Sequence, residues 1–292
     1  MTDLAAALRA WVPRQRWFAG KARTVAALRV ADTVRLRRGD TEILDVLVDV
    51  DFDDGHVERY QVPLAAGDNE MAAGEKRAEG GGGVVVNLDG EALVDATTAP
   101  QAAGALAQLS CGPEPFTTAG GATVQGDSVA DDVRLDVTAP RRLGAEQSNT
   151  SVVFGDRHIL KVFRKLEPGE NPEVEVTRAL TRQGFDAAPA QHGALALHDG
   201  DDVTALTVLA DFVAGGREGW DVATAEVRRL ADSTVDCALP DPWLLDRFAD
   251  LGRTVADLHA ALRDTLGSRD ATPADLGAWA VQMQQQVERV LR

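Results

Sequence analysis

The chain has 292 residues, enough for two or more domains, and carries a net charge of −16 from 46 acidic and 30 basic residues. This acidic excess argues against nucleic acid and anionic membranes as default partners, because both reward clustered cations. Two distant cysteines, Cys111 and Cys237, argue against a disulfide framework, and the absence of a membrane span or signal peptide predicts a soluble cytoplasmic protein.

The first hundred residues predict a separate α+β domain. Helical spacing of apolar residues predicts a helix over 4–11, and strands follow at 28–36, 42–50 and 56–64. The sequence Asp51-Phe52-Asp53 imitates a kinase metal motif, but it precedes the strand that carries the candidate lysine, so a hairpin turn explains it. Four glycines at 80–83 predict a flexible loop before a strand at 84–86.

The next segment leads towards the most informative part of the chain. A helix is predicted over 100–109, and Gly112-Pro113 ends it. Strands are predicted at 133–137 and around Leu143. A run of small polar residues then begins at Glu146 and leads into a hairpin, with strands at 151–154 and 158–163 around Gly155-Asp156.

Lys161 lies in the second strand of this hairpin, on the same face as Ile159 and Phe163. A lysine between apolar neighbours reaches either water or an anion. Asn171-Pro172 predicts the start of a helix, and Glu175 lies in its first turns. A polar loop, a strand lysine and a helix glutamate are typical of a kinase phosphate site. The alternative is an exposed Lys161, with Glu175 paired to Arg178.

Two strands and several helices complete the pattern. The strands are predicted at 194–197 and 203–209, and the second is nearly all apolar, as a strand buried on both faces would be. A helical region is predicted from Trp220-Asp221, a long amphipathic helix over 242–266 and a last helix over 273–292. His259 lies in the long helix, where a packing or surface role is the simpler interpretation.

Four runs of this sequence carry a family resemblance: WVPRQRWFAGK at 11–21, VERYQV at 57–62, RLGAEQSNTSVVFGDRHILKVFRKLEPGENPEVEV at 142–176 and GWDVA at 219–223. Together they resemble the actinobacterial maltokinase and glucosamine kinase family, a branch of the aminoglycoside-phosphotransferase-like kinases. The resemblance implies an α+β chain: an N-terminal cap at 1–100 and then a protein-kinase-like bilobal fold. In that fold 101–213 would be the nucleotide-binding lobe and 214–292 the start of a helical acceptor lobe.

The resemblance also implies roles for individual residues in binding ATP. Lys161 would contact the α- and β-phosphates, Glu175 would hold Lys161, and backbone groups of Asp211 and Val213 would meet adenine. The loop over the phosphates is not glycine-rich, so polar side chains and backbone donors would cradle them. Its residues would be Gln147, Ser148, Asn149, Thr150 and Ser151.

The family's His-Gly-Asp loop and later metal-binding aspartate have no match in this sequence. The pair His192-Gly193 continues with Ala194 and lies before the adenine segment. We therefore expect an incomplete acceptor lobe, and we name no catalytic base and no Mg²⁺ ligand. The expected activity is ATP- and Mg²⁺-dependent phosphorylation of a sugar. Glucosamine is narrowly favoured, because an acidic protein attracts a cationic amino sugar. Maltose phosphorylation and a non-catalytic nucleotide-binding module are the alternatives.

Overall fold

The computed structural model describes residues 2–67, 84–88, 90–129, 135–144, 148–233 and 239–290. They form two compact units, Met1–Pro242 and Trp243–Arg292. Some sequence predictions fall outside the described residues: the loop at 80–83, Gln147, Cys237 and the beginning of the strand at 133–137. The domain boundaries proposed at 100/101 and 213/214 stay predictions.

An α+β domain opens the first unit. Helix α1 spans Thr2–Trp11, and an antiparallel sheet follows it, with the strand order β1-β2-β3-β5-β4. The strands are β1 Val25–Arg38, β2 Thr41–Phe52, β3 Val57–Ala66, β4 Val84–Leu88 and β5 Glu91–Asp95. Leu4 and Leu8 of α1 are buried with Trp17 and Phe18 against one face of this sheet. The predicted helix and three predicted strands are thus present, each longer than the sequence indicates.

A small-residue helix separates this sheet from a second one. Helix α2, Pro100–Ser110, buries mainly alanine and leucine, and it contacts strands of both sheets. The second sheet passes very close to the C-terminal end of α2. A Cβ built on Gly126 would lie only 2.0 Å from the carbonyl oxygen of Leu109. A Cβ on Gly193 would lie 2.4 Å from the Ser110 carbonyl oxygen. Only glycine permits this approach of helix to sheet.

The second sheet is antiparallel, with the strand order β6-β7-β12-β13-β10-β9-β8. Its short first strands, β6 and β7, and its short last strand, β8, were not predicted at these bounds, and residues 135–138 form no strand. Helix α3, Pro172–Gln183, ends at Gly184, whose φ of 75° is the left-handed conformation expected of a C′ glycine. The strands are β6 Phe116–Thr117, β7 Thr123–Ser128, β8 Arg141–Arg142, β9 Asn149–Phe154, β10 His158–Phe163, β12 Gln191–Asp199 and β13 Asp202–Asp211.

A buried ion pair joins the two sheets. The two-residue strand β11, Lys165–Leu166, leaves the second sheet and pairs with β3 of the first. Just before it, Arg164 is fully buried, and its Nη2 donates to Asp95 Oδ2 at 2.6 Å. Burial by itself would raise the pKa of Asp95, but the positive charges of Arg164 and Arg142 and the hydrogen bonds from Thr97 together outweigh it, so the pKa of this carboxyl lies below its usual value. The pair therefore remains ionised at neutral pH.

Three further helices follow the second sheet. Helix α4 spans Gly219–Ala231 and ends within the first unit. The second unit contains α5, which spans Pro242–Leu266 as predicted, and α6, Pro273–Val290. Of the apolar stripe predicted on α5, Leu244 is buried, while Phe248 and Leu251 are about half exposed. His259 is exposed. Among the described residues, no helix is both long and apolar enough to cross a membrane.

Candidate functional site

Lys161 forms an ion pair near the middle of the second sheet. In β10 it stands opposite Ser151 of β9 on one side and Val208 of β13 on the other. Its Nζ lies 2.9 and 3.0 Å from the two carboxylate oxygens of Glu173. The lysine side chain is 23% exposed, so its ammonium group is neither buried nor free in bulk solvent. The cation and its acid partner therefore come together as the kinase pattern requires, but the partner is Glu173.

The structure pairs Lys161 with Glu173, whereas the resemblance implies Glu175. Asn171 caps α3, because its side chain accepts a hydrogen bond from the Glu173 amide at 2.9 Å. This cap sets Glu173 at the start of the helix, where the helix dipole favours a carboxylate. Two residues along an α-helix are separated by about 200° around its axis. Glu173 and Glu175 therefore lie on different sides of α3, and only one of them can meet the strand.

The predicted phosphate loop is only partly a loop. Gln147 lies outside the described residues, Ser148 is exposed, and Asn149 already begins β9. Thr150 is buried and its Oγ1 accepts a hydrogen bond from Arg164 Nε at 2.8 Å, so it belongs to the network between the sheets. Ser151 is also buried, on the same face of the sheet as Lys161.

The hairpin after β9 turns at Gly155-Asp156 as predicted, but three residues rather than the predicted two connect its strands. Gly155 and Asp156 both have positive φ, as a type I′ turn requires, and the Arg157 amide donates to the Phe154 carbonyl. Arg157 adds a third residue to the connection. This turn sets the register that places Lys161 opposite Ser151.

The predicted adenine segment follows the end of β13. The Asp211 amide donates to the Ala190 carbonyl, and the Phe212 amide donates to the Arg157 carbonyl. Val213 comes next and is 65% exposed, and among the described residues its amide makes no backbone hydrogen bond. An unpaired backbone donor beside an apolar side chain is what a planar heterocycle can use. The Asp211 side chain turns instead to a neighbouring histidine.

Three side chains that the sequence does not bring together meet at this strand end. His192 Nε2 lies 2.7 Å from Asp211 Oδ1, and His158 Nδ1 lies 3.9 Å from the same oxygen. The two imidazole rings meet edge to face, with centroids 4.9 Å apart. Burial, with a smaller contribution from His192, lowers the pKa of His158. The sequence does not predict this cluster, because strand register alone brings its three side chains together.

A separate cavity of about 590 Å³ lies between α3 and the strands β7, β12 and β13. Its floor is formed by small residues such as Ala194 and Ala205, and Asp127 and Arg178 line it as well. Among the described residues that line it, neither Lys161 nor Glu173 occurs. This cavity is therefore distinct from the predicted phosphate site.

Comparison with protein families and curated sequences supports the resemblance found in the sequence. Residues 11–98 match the maltokinase N-terminal cap domain. A glucosamine kinase from Streptacidiphilus jiangxiensis is 32% identical over 239 residues, which are 80% of this chain and 47% of that protein. A glucosamine kinase from Mycolicibacterium smegmatis is 34% identical over 140 residues, 48% of this chain and 34% of that protein. The chain thus spans about half the length of its matched relative from Streptacidiphilus.

Solved structures share the fold. A glucosamine kinase in complex with glucosamine, ADP and inorganic phosphate superposes with a TM-score of 0.58 at 23% identity. A second crystal form of a glucosamine kinase gives a TM-score of 0.57 at 24% identity. Each match covers 98% of this chain and 57% of the other. The predicted α+β fold with an N-terminal cap is confirmed, and so is the resemblance to the maltokinase and glucosamine kinase family.

Proposed function

We propose that this chain, a relative of the glucosamine kinases with a maltokinase-type N-terminal cap, forms the cap and the nucleotide-binding lobe of an ATP-dependent sugar kinase. One observation carries the proposal. A lysine in the middle of a strand is held by a carboxylate at a helix start, in a sheet that shares its fold with glucosamine kinases. Such a pair orients a cation towards the phosphates of a nucleotide.

Each residue of the proposed site has a defined task. Lys161 would donate to the α- and β-phosphate oxygens, and Glu173 would hold its ammonium group in position. Ser148 and Asn149 stand where the loop over the phosphates enters β9, so they are our candidates for contacts to the γ-phosphate. The exposed Val213 amide and the Asp211 carbonyl would bind the adenine edge. Ser151, on the same face as Lys161, would be a second contact to the nucleotide. Thr150 would not contact the nucleotide, because its hydroxyl accepts a hydrogen bond from Arg164 between the two sheets.

The residues present fit a nucleotide on structural grounds. Glu173 balances the positive charge of Lys161, so this cation does not destabilise the fold. The flexible lysine side chain can also reach the phosphate of a bound nucleotide. ATP would supply the phosphoryl group, and Mg²⁺ would neutralise the charge that develops on the phosphate oxygens. We assign no Mg²⁺ ligand and no catalytic base. The cytoplasmic location expected from the sequence is part of this proposal.

Glucosamine is the substrate we favour. Both matched relatives are named glucosamine kinases, and the net charge of −16 favours an amino sugar that carries a positive charge. Maltose is the second candidate, because the matched cap domain takes its name from maltokinase. That support is narrower, since the cap match covers residues 11–98 alone.

The test measures ATP binding first and turnover second. We expect this chain to bind MgATP in calorimetry. The turnover assay uses the kinase with its acceptor lobe, because the catalytic base and the Mg²⁺ ligands are not assigned in this chain, and there we expect glucosamine to stimulate ADP release more than glucose or maltose does. Greatest stimulation by maltose would transfer the proposal to the second candidate. ATP binding without any sugar-dependent ADP release would favour the non-catalytic module. If the chain does not bind MgATP, the proposed function is wrong.

A further inference from the structure

The cluster of His158, His192 and Asp211 joins three neighbouring strands at one end of the second sheet. His158 begins β10 and stands directly opposite Asp211, which ends β13. His192 lies in β12, where the register shifts between Gln191 and Gly193. A β-bulge of this kind re-aims a side chain, and here the imidazole is directed at the Asp211 carboxylate.

One nitrogen of this cluster has no partner. The His158 side chain is only 12% exposed. Its Nδ1 atom is buried and makes no hydrogen bond among the described residues. The atom lies 3.9 Å from Asp211 Oδ1, which is beyond hydrogen-bond distance. A buried imidazole nitrogen aimed at a carboxylate without contacting it leaves room for a ligand between them.

We propose that His158, His192 and Asp211 form a binding site for one divalent transition-metal ion, with Zn²⁺ the best match. Their ligand atoms all lie within 4.8 Å of one another. Tetrahedral Zn²⁺ with bonds near 2.1 Å separates its ligands by about 3.4 Å. The observed distances of 2.7 and 3.9 Å from Asp211 Oδ1 to the two imidazoles lie on either side of that value. The first distance would have to lengthen by about 0.7 Å and the second to shorten by about 0.5 Å to reach it.

The chemistry of the donors decides which ions fit. Two imidazoles and one carboxylate suit Zn²⁺ and its neighbours among the transition metals, whereas Mg²⁺ prefers oxygen ligands throughout. Asp211 is 47% exposed on its side chain, so water can complete the coordination. Asp136 and Arg157 also act on His158 electrostatically, with opposite signs.

A bound ion would link β10, β12 and β13 at the start of the segment that we assign to adenine, because it would use the side chain of Asp211, whose backbone carbonyl belongs to that segment. The proposal goes beyond the proposed function and does not depend on it. It requires only the three side chains, and its test involves neither ATP nor sugar.

The experiment titrates Zn²⁺ into chelator-treated protein, with Co²⁺ as a spectroscopic substitute. We expect saturation at one ion per chain and a visible Co²⁺ absorption band that Zn²⁺ displaces. His192→Gln should weaken Zn²⁺ binding at least about tenfold, since even residues that only support a ligand cost that much when removed. His198→Gln is the matched control on the same strand and should leave the affinity unchanged.

A measurement on the unsubstituted protein covers the case in which His192→Gln does not fold. Long-range ¹H–¹⁵N spectra of the imidazoles should show that Zn²⁺ shifts the nitrogens of His158 and His192 and leaves those of His198 in place. No saturable Zn²⁺ binding overturns the proposal. So does binding that shifts other histidines, or binding of equal strength in a folded His192→Gln variant.

Discussion

The buried ion pair between the two sheets offers a stability test that is independent of any ligand. Arg164 Nη2 donates to Asp95 Oδ2 at 2.6 Å and to Thr97 Oγ1 at 3.2 Å, while Nε donates to Thr150 Oγ1. Arg164 Nη1 has no partner among the described residues. Asp95→Asn keeps the size of the side chain and one acceptor oxygen, but it removes the negative charge.

The expected loss in free energy of unfolding is large. Removing one member of a buried pair leaves the other charge uncompensated, which costs about 3–5 kcal/mol. A second carboxylate, Asp45, is close enough to act on Arg164. Burial raises the pKa of Asp45 to about 6. This value is still below 7, so the Asp45 carboxyl is mostly ionised at neutral pH. Its partial compensation places our expectation at the lower end, about 3 kcal/mol.

Urea unfolding followed by tryptophan fluorescence measures this loss, since Trp17 stacks on the Arg164 guanidinium at 5.0 Å. Asp51→Asn is the control: Asp51 pairs with the more exposed Arg29, and such pairs contribute about 0–1 kcal/mol. Asp95→Asn combined with Arg164→Met should lose less than Asp95→Asn alone, because no unpaired charge remains. A loss below about 1 kcal/mol for Asp95→Asn would show that Asp95 does not compensate a buried charge on Arg164.

Two further predictions concern single carboxylates. The folded pKa of Asp45, about 6, exceeds its unfolded value. Stability should therefore fall by up to about 3 kcal/mol between about pH 4 and pH 7, and Asp45→Asn should not show that part of the pH dependence. Parallel curves of unfolding free energy against pH would contradict this expectation. Glu173→Gln should weaken MgATP binding about fivefold, because a charge-assisted bond that orients Lys161 is lost. Glu175→Gln should change the affinity by less than about twofold, and equal effects would show that the helix contributes no specific partner.

Local sequence signals located much of the fold. Asn171-Pro172 and Gly184 mark the ends of α3 because capping and positive φ depend on neighbouring residues alone. The positive φ values of Gly155 and Asp156 follow in the same way from turn chemistry. Period-two alternation was sufficient to place Lys161 on the face that meets a helix.

The parts that failed depend on where elements start and how strands align. The resemblance places Thr150 in a loop, but β9 begins at Asn149, so Thr150 lies in the strand. Strand alternation then directs the Thr150 side chain towards Arg164. The resemblance implies Glu175 as the partner of Lys161, whereas Glu173 forms the ion pair, because sequence spacing does not reveal which side of α3 faces the strand. Short strands such as β7, with the sequence TVQGDS, carry too little apolar alternation to be recognised.

The histidine cluster illustrates the same limit at greater sequence separation. His158 and Asp211 are brought together by the pairing of β10 with β13. His192 joins them through a bulge in β12. A bulge shifts the register by one residue, and the sequence contains no local signal that fixes its position here.

The central claim is that the ammonium group of Lys161 binds the phosphates of a nucleotide. Calorimetric titration with MgATP, comparing the wild type with Lys161→Ala, tests it most directly, and Lys165→Ala is the control because Lys165 pairs with Glu58 of the first sheet. We expect Lys161→Ala to raise the Kd for MgATP by about 10- to 100-fold, as the loss of bonds to a charged group implies. Lys165→Ala should leave it unchanged. Equal MgATP affinity in the wild type and Lys161→Ala would mean that the Lys161 ammonium group does not bind the nucleotide phosphates.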